Sequence, residues 1–189
     1  MNSTADRHAW LKLRTTAGWL SKAWDLGQAL RPQTRSSHQL FVIGTPTYDP
    51  WHVAAHLDDE AKFAGLPALK PTLLRWNPPL GAPAHLAHSF AELRDASGAP
   101  TVLVVAPDAM QEDELERLAD ARRQGASLFA VCAQDGDLTA LAHEAVTLPG
   151  EWDSGAQLNS PFEVATHLLA VSAGTSAVPR PRGVLRKYR

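Results

Sequence analysis

The chain has 189 residues, enough to bury a core of its own without disulfides or metals. Its single cysteine excludes an internal disulfide framework and fits a reducing compartment. No run approaches the roughly 18 apolar residues that argue for a membrane span, and the polar, basic N-terminus lacks a signal-peptide core, so a cytoplasmic protein with no membrane partner is expected. The formal net charge of −2 conceals a polarity, with residues 1–35 at +4, the last ten at +5 and the middle at −11.

The first predicted element is an amphipathic helix over residues 7–30, with Trp10, Leu13, Ala17, Leu20 and Trp24 at helical spacing. Pro32 is expected to end it, and Gln33 to Ser37 read as a linker. Gln39 to Gly44 is a buried strand closing in a glycine turn, and a helix over 50–65 starts at Pro50 and stops at Gly65. Thr72 to Trp76 is a second strand, followed by a Pro/Gly-rich loop from Asn77 to Pro83 and a helix from His85 to Ala96. Val102 to Val105 is a third strand, leading into a charged helix that ends at Gly125. Ser127 to Cys132 and Ala145 to Leu148 are strands around a short helix. Residues 150–160 read as a polar loop, Pro161 to Ala173 as an apolar helix, and Thr175 to Arg189 as a tail too polar to fold alone.

Strands alternating with helices specify an α/β fold, a three-layer α/β/α sandwich on a five-stranded parallel sheet with right-handed crossovers. The expected organisation is an N-terminal helix over 1–35 packing on the domain or on a partner, an α/β domain over 36–174 and a basic tail over 175–189. Such sheets bind ligands outside the carboxyl ends of their strands. That places Gly44 to Asp49, Asn77 to Leu80 and Ala106 to Met110 around one mouth.

The segment Glu114 to Pro149 carries the clearest signature. It contains Ala121-Arg122-Arg123-Gln124-Gly125-Ala126, then Asp137-Leu138-Thr139-Ala140-Leu141-Ala142-His143-Glu144, then Thr147-Leu148-Pro149. Phe41 to Thr47 forms a first strand and turn. In these motifs the chain resembles the sugar isomerase (SIS) domain family of phosphosugar-binding proteins, over most of residues 7–173. The resemblance implies binding of a small phosphorylated metabolite and pairing into a homodimer, to which Trp10, Trp19 and Trp24 are candidate contributors. It also marks two departures. Where the family has a Ser-x-Ser-Gly-x-Thr loop, this chain has Ala106-Pro107-Asp108-Ala109-Met110-Gln111, and Pro46 replaces a glycine of the first turn.

The candidate ligand-binding residues are Gly44, Thr45, Thr47 and Tyr48, on a turn before a helix N-terminus, and Asp108 on the loop after the third strand, whose charge is expected to repel a phosphate. Plain turn and capping chemistry by Thr47 or Asp49 explains the same residues. Arg75 and Trp76 end the second strand, where Arg75 either meets an acidic ligand or pairs a neighbouring Asp. His52 and His56 share one helix face, and with Asp59 or Glu60 they fit part of a metal site or an acid–base pair for aldose–ketose isomerisation. A half-exposed polar face explains them equally. Spacing sets no third ligand, so no metal and no cofactor is assigned.

If the domain is an enzyme, it is a phosphosugar isomerase with His52, His56 and Glu60 as the catalytic candidates, but a non-catalytic or regulatory binder is the favoured reading. The acids Glu112, Asp113, Glu114 and Glu116 read as a solvated first helical turn complementing its dipole. The alternative to sugar-phosphate binding is an interaction module, with Arg180, Arg182, Arg186, Lys187, Tyr188 and Arg189 neutralising nucleic-acid phosphates while the sugar site is vestigial.

Overall fold

Leu40–Ile43, Thr101–Ala106 and Leu128–Cys132 are buried at every position, the burial expected of parallel strands covered on both faces. The computed structural model describes residues 3–81, 83, 87–96, 98–148 and 161–175, and for residues 3–17 it describes the backbone. The loop over 150–160, His85 and the basic tail from residue 176 lie outside the described residues.

In chain order the elements are α1 (Ser3–Ser37), β1 (Leu40–Ile43), α2 (Trp51–Phe63), a 3-10 turn (Pro67–Leu69), β2 (Pro71–Leu74), α3 (Phe90–Arg94) and β3 (Thr101–Ala106). Then follow α4 (Glu112–Arg123), β4 (Ser127–Cys132), α5 (Asp137–Leu141), β5 (Glu144–Thr147) and α6 (Pro161–Gly174). The strands form one parallel sheet in the order β2-β1-β3-β4-β5. The path from β1 runs outward to β2 and then crosses back to β3, so the order reverses between β1 and β3. That is the point at which open α/β sheets leave a crevice.

The two-residue period of a strand divides the core. Leu40, Val42, Leu103, Val105, Phe129, Val131 and Val146 face α1, α2 and α6. Phe41, Ile43, Leu74, Val102, Val104, Leu128, Ala130 and Cys132 face α3, α4 and α5. The first layer is closed by α6, whose Leu169, Ala170 and Ala173 pack with Trp19, Ala23, Leu26 and Leu30 of α1.

Two helices differ from expectation. α1 passes through Pro32 and ends at Ser37. Pro32 is exposed, and the residues behind it are held by Thr34 Oγ1 to Arg31 O (3.0 Å) and Ser36 Oγ to Pro32 O (3.2 Å). Tertiary bonds add to this, Gln33 Nε2 to Ser127 Oγ at 2.7 Å and Ser37 Oγ to Thr101 Oγ1 at 2.9 Å, so the supposed linker is anchored helix. α3 is only Phe90–Arg94, because Ser89 stays extended, caps Ala91 N and lies beside Arg75 as a short continuation of the sheet edge. No described helix is long and apolar enough to cross a membrane.

Candidate functional site

β1 runs into a turn that only glycine permits at its base. A β-carbon on Gly44 would lie 1.8 Å from the Tyr48 carbonyl oxygen and 2.7 Å from Pro50 Cδ. The turn closes with Tyr48 N donating to Thr45 O at 3.1 Å, and Pro46 occupies the second position, where a fixed φ is favourable. Above it, Thr45 and Thr47 share a hydroxyl contact of 3.1 Å, and Thr47 Oγ1 donates to Asp108 Oδ2 at 3.2 Å across the β1/β3 reversal. Gly44, Thr45, Thr47, Tyr48 and Asp108 are therefore brought together. No side chain caps α2, whose preceding residue is Pro50, so neither Thr47 nor Asp49 serves as its cap.

From the end of β2, Trp76 Nε1 donates to Gly44 O at 2.9 Å while its ring stacks on Phe90 at 4.9 Å. Arg75 Nε meets Asp49 Oδ2 at 2.5 Å, with the arginine side chain only 16% exposed. These residues line an open cleft of about 260 Å³ bounded by Thr45, Thr47, Tyr48, Asp49, Arg75 and Trp76. Burial, with the charge of Glu163 second, pushes the Tyr48 phenol above its ordinary range, so it stays protonated and can donate. Asn77 lies on the rim, as the sequence places it.

Beside this cleft, at the ends of β3 and β4, lies a smaller hollow of about 180 Å³ lined by Asp108, Met110, Gln134, Asp135 and Asp137. Its carboxylates make that half of the mouth hostile to anions. Glu114 caps its own helix, accepting from Gln111 N at 2.9 Å, so the acids of this first turn include a structural one.

The isomerase candidates are placed elsewhere. Glu60 lies nine residues into α2, about 13 Å along the axis from its start, and packs where a β-carbon on Gly174 would be 2.1 Å from its carboxylate. His56 touches His52 on its own helix and His167 of α6, at 3.1 and 3.3 Å between ring nitrogens. His167 is the residue the sequence reading missed, since nothing local links α6 to α2. No group of three or more His, Cys, Asp or Glu among the described residues is placed to hold a metal.

No protein-family model matches the chain, and no curated protein matches it. Solved structures match at low identity. The sugar isomerase domain of the RpiR transcription factor from Sphaerobacter thermophilus superposes with a TM-score of 0.56 and 13% identity, over 91% of this chain and 90% of that one. The NanR protein of Vibrio vulnificus, solved in complex with ManNAc-6P, gives 0.53 and 12%, over 91% of this chain and 63% of that one. A Bacteroides fragilis protein assigned as a phosphosugar isomerase involved in capsule formation gives 0.52 and 10%, over 89% of each. With a parallel sheet whose order reverses at β1/β3 and these three neighbours, the chain is built on the sugar isomerase domain fold.

Proposed function

We propose that this domain binds a small sugar phosphate in the cleft between the Thr45–Asp49 turn and Arg75, and that it acts as a sensor or binding domain, not an isomerase. The observation that carries the reading is the gathering of a guanidinium and three hydroxyls at one end of the sheet, beside the chain reversal where α/β sheets bind ligands. NanR, a structural neighbour, was solved with ManNAc-6P, which supports a ligand of that class. A phosphate oxygen held by Arg75, with Thr47 turning its single hydroxyl proton from Asp108 to the ligand, would leave the sugar facing Asp108 and the carboxylates of the adjoining hollow, which suit hydroxyls and repel a second anion.

The absence of catalysis rests on placement. Among the described residues, the titratable side chains lining the cleft are Tyr48, Asp49 and Arg75, and Asp108 at its edge is already engaged by the Thr47 hydroxyl. Asp49 is paired with Arg75, and the imidazoles of α2 are turned to α6. A general base has to lie within hydrogen-bond reach of the proton it takes. The proposed binding unit is the 36–174 domain with α1 laid across it. Its pairing into a cytoplasmic homodimer belongs to the same reading.

Thermal melting against hexose 6-phosphates, N-acetylhexosamine 6-phosphates, the free sugars and inorganic phosphate tests the reading. A ligand at about 100 times its dissociation constant stabilises by roughly 2.7 kcal/mol. One sugar phosphate is expected to raise the midpoint at moderate salt, and Arg75→Gln is expected to remove the shift. Silence across the whole panel at millimolar concentration would sink it.

A further inference from the structure

Three imidazoles meet where α2 packs on α6. The His56 ring lies 4.5 Å from that of His52 and 4.5 Å from that of His167, tilted 52° to the first and edge-on at 79° to the second. Its Nε2 is the shared contact, 3.1 Å from His52 Nε2 and 3.3 Å from His167 Nδ1. Trp51 covers the outer end, 5.4 Å from the His52 ring. A ring nitrogen carries either one proton or one lone pair. His56 Nε2 therefore satisfies one neighbour at a time. A first added proton strengthens one N–H···N bond, whereas a second must sit beside it as a like charge at contact distance.

The surroundings compensate little. On α2, Asp59 opposes the effect but is 62% exposed and already 3.8 Å from Lys62, and Asp58 also pairs with Lys62. On α6 the facing titratable groups are His167 and, one turn earlier, Glu163, whose charge reaches Tyr48. Glu60 is packed at the far end against Gly174. From α1, which packs on α6, Arg31 is engaged with the carbonyls of Ala173 and Gly174. The 3-10 turn and β2 carry no titratable side chain.

We propose that His52, His56 and His167 form a proton-sensitive latch that joins α2 to α6 while neutral and drives them apart when more than one ring is charged. α2 begins directly after the Thr45–Asp49 turn, so loosening it disturbs the mouth of the sheet. The sign is fixed by His56, whose imidazole is held below the ordinary 6.5 by burial first, then by His167 and His52. The unfolded chain takes up this proton at higher pH than the folded one, so stability falls as pH drops below about 6.5.

The test is an NMR titration of the assigned histidine rings in the full chain, with thermal melts from pH 8 to pH 5 of the wild type, His56→Gln and His167→Gln. The expected result is that His56 titrates below 6.5, that its curve is coupled to those of His52 and His167, and that each variant flattens the acid slope of the melting temperature by about half or more. Three independent curves with His56 at or above 6.5 overturn the proposal, as do variants that keep the wild-type slope. Should a glutamine variant not fold, the wild-type titration decides alone.

Discussion

A β-carbon on Gly27 would stand 2.2 Å from the carbonyl oxygen of Leu169. α1 and α6 therefore approach closely enough that a single methyl group collides with backbone, which cannot swing aside as a side chain can. Gly27→Ala is expected to cost about 2 kcal/mol or more, by forcing the helices apart. Gly18, in the same helix, has nothing within 4 Å, so Gly18→Ala is expected to stabilise by roughly 0.5–1 kcal/mol through helix propensity alone. Urea unfolding of the two variants should give opposite signs.

Asp49 holds Arg75 through its Nε and puts a negative charge into the proposed anion cleft. Asp49→Asn keeps the shape and removes the charge. Sugar-phosphate affinity is expected to rise several-fold, less than the tenfold that about 1.4 kcal/mol represents. Calorimetric titration reads it, and an unchanged or weaker affinity would place the anion elsewhere.

Much of this architecture could be read along the chain because the strands are saturated with buried apolar residues. Ser127–Cys132 is observed with the expected ends, and β1, β3 and the helices α2, α4 and α6 fall within a few residues of theirs. The departures have tertiary causes. Pro32 looked terminal because the bonds that carry the helix past it, from Gln33 to Ser127 and Ser37 to Thr101, span 94 and 64 residues. The turn residues Gly44 to Tyr48 were legible from the glycine and hydroxyls before a helix. Arg75 could be noticed but not assigned, since its pairing with Asp49 depends on β1 and β2 being neighbours. His167 lies 111 residues from His56, and no local period announces that contact.

Leu57 of α2 is fully buried beneath the sheet-facing side of its helix, whereas Leu80 on the rim loop is fully exposed. Leu57→Ala is expected to destabilise by about 2–5 kcal/mol, the cost of lost burial plus the cavity left behind. Leu80→Ala should stay within about 0.5 kcal/mol of wild type. Chemical denaturation of both checks the assignment of core and surface.

Cys132 is buried at the end of β4, and burial pushes its thiol above the ordinary 9.0, against a smaller downward pull from a bond with Thr147. A native thiol that stays protonated reacts slowly with a disulfide reagent at pH 8. The half-time is expected to shorten by an order of magnitude or more in denaturant. The unfolded thiol also ionises first, so this group contributes stability below about pH 9 that is lost as pH rises further. Rapid labelling of the native protein would mean that the β4 end opens to solvent.

The seating of α1 against α6 has a consequence for how the chain is made. Trp24 O accepts from Ser172 Oγ, and Gln28 Nε2 donates to Ser172 O, contacts between residues 148 and 144 positions apart. During synthesis the apolar stripe of α1 emerges first and its covering helix among the last described residues, so Trp19, Leu26 and Leu30 must wait with one flank bare while the sheet is laid down. Closure of the layer is then a late, cooperative event, and a ribosome-bound chain stalled before residue 161 should remain open to protease and to chaperone capture until α6 arrives.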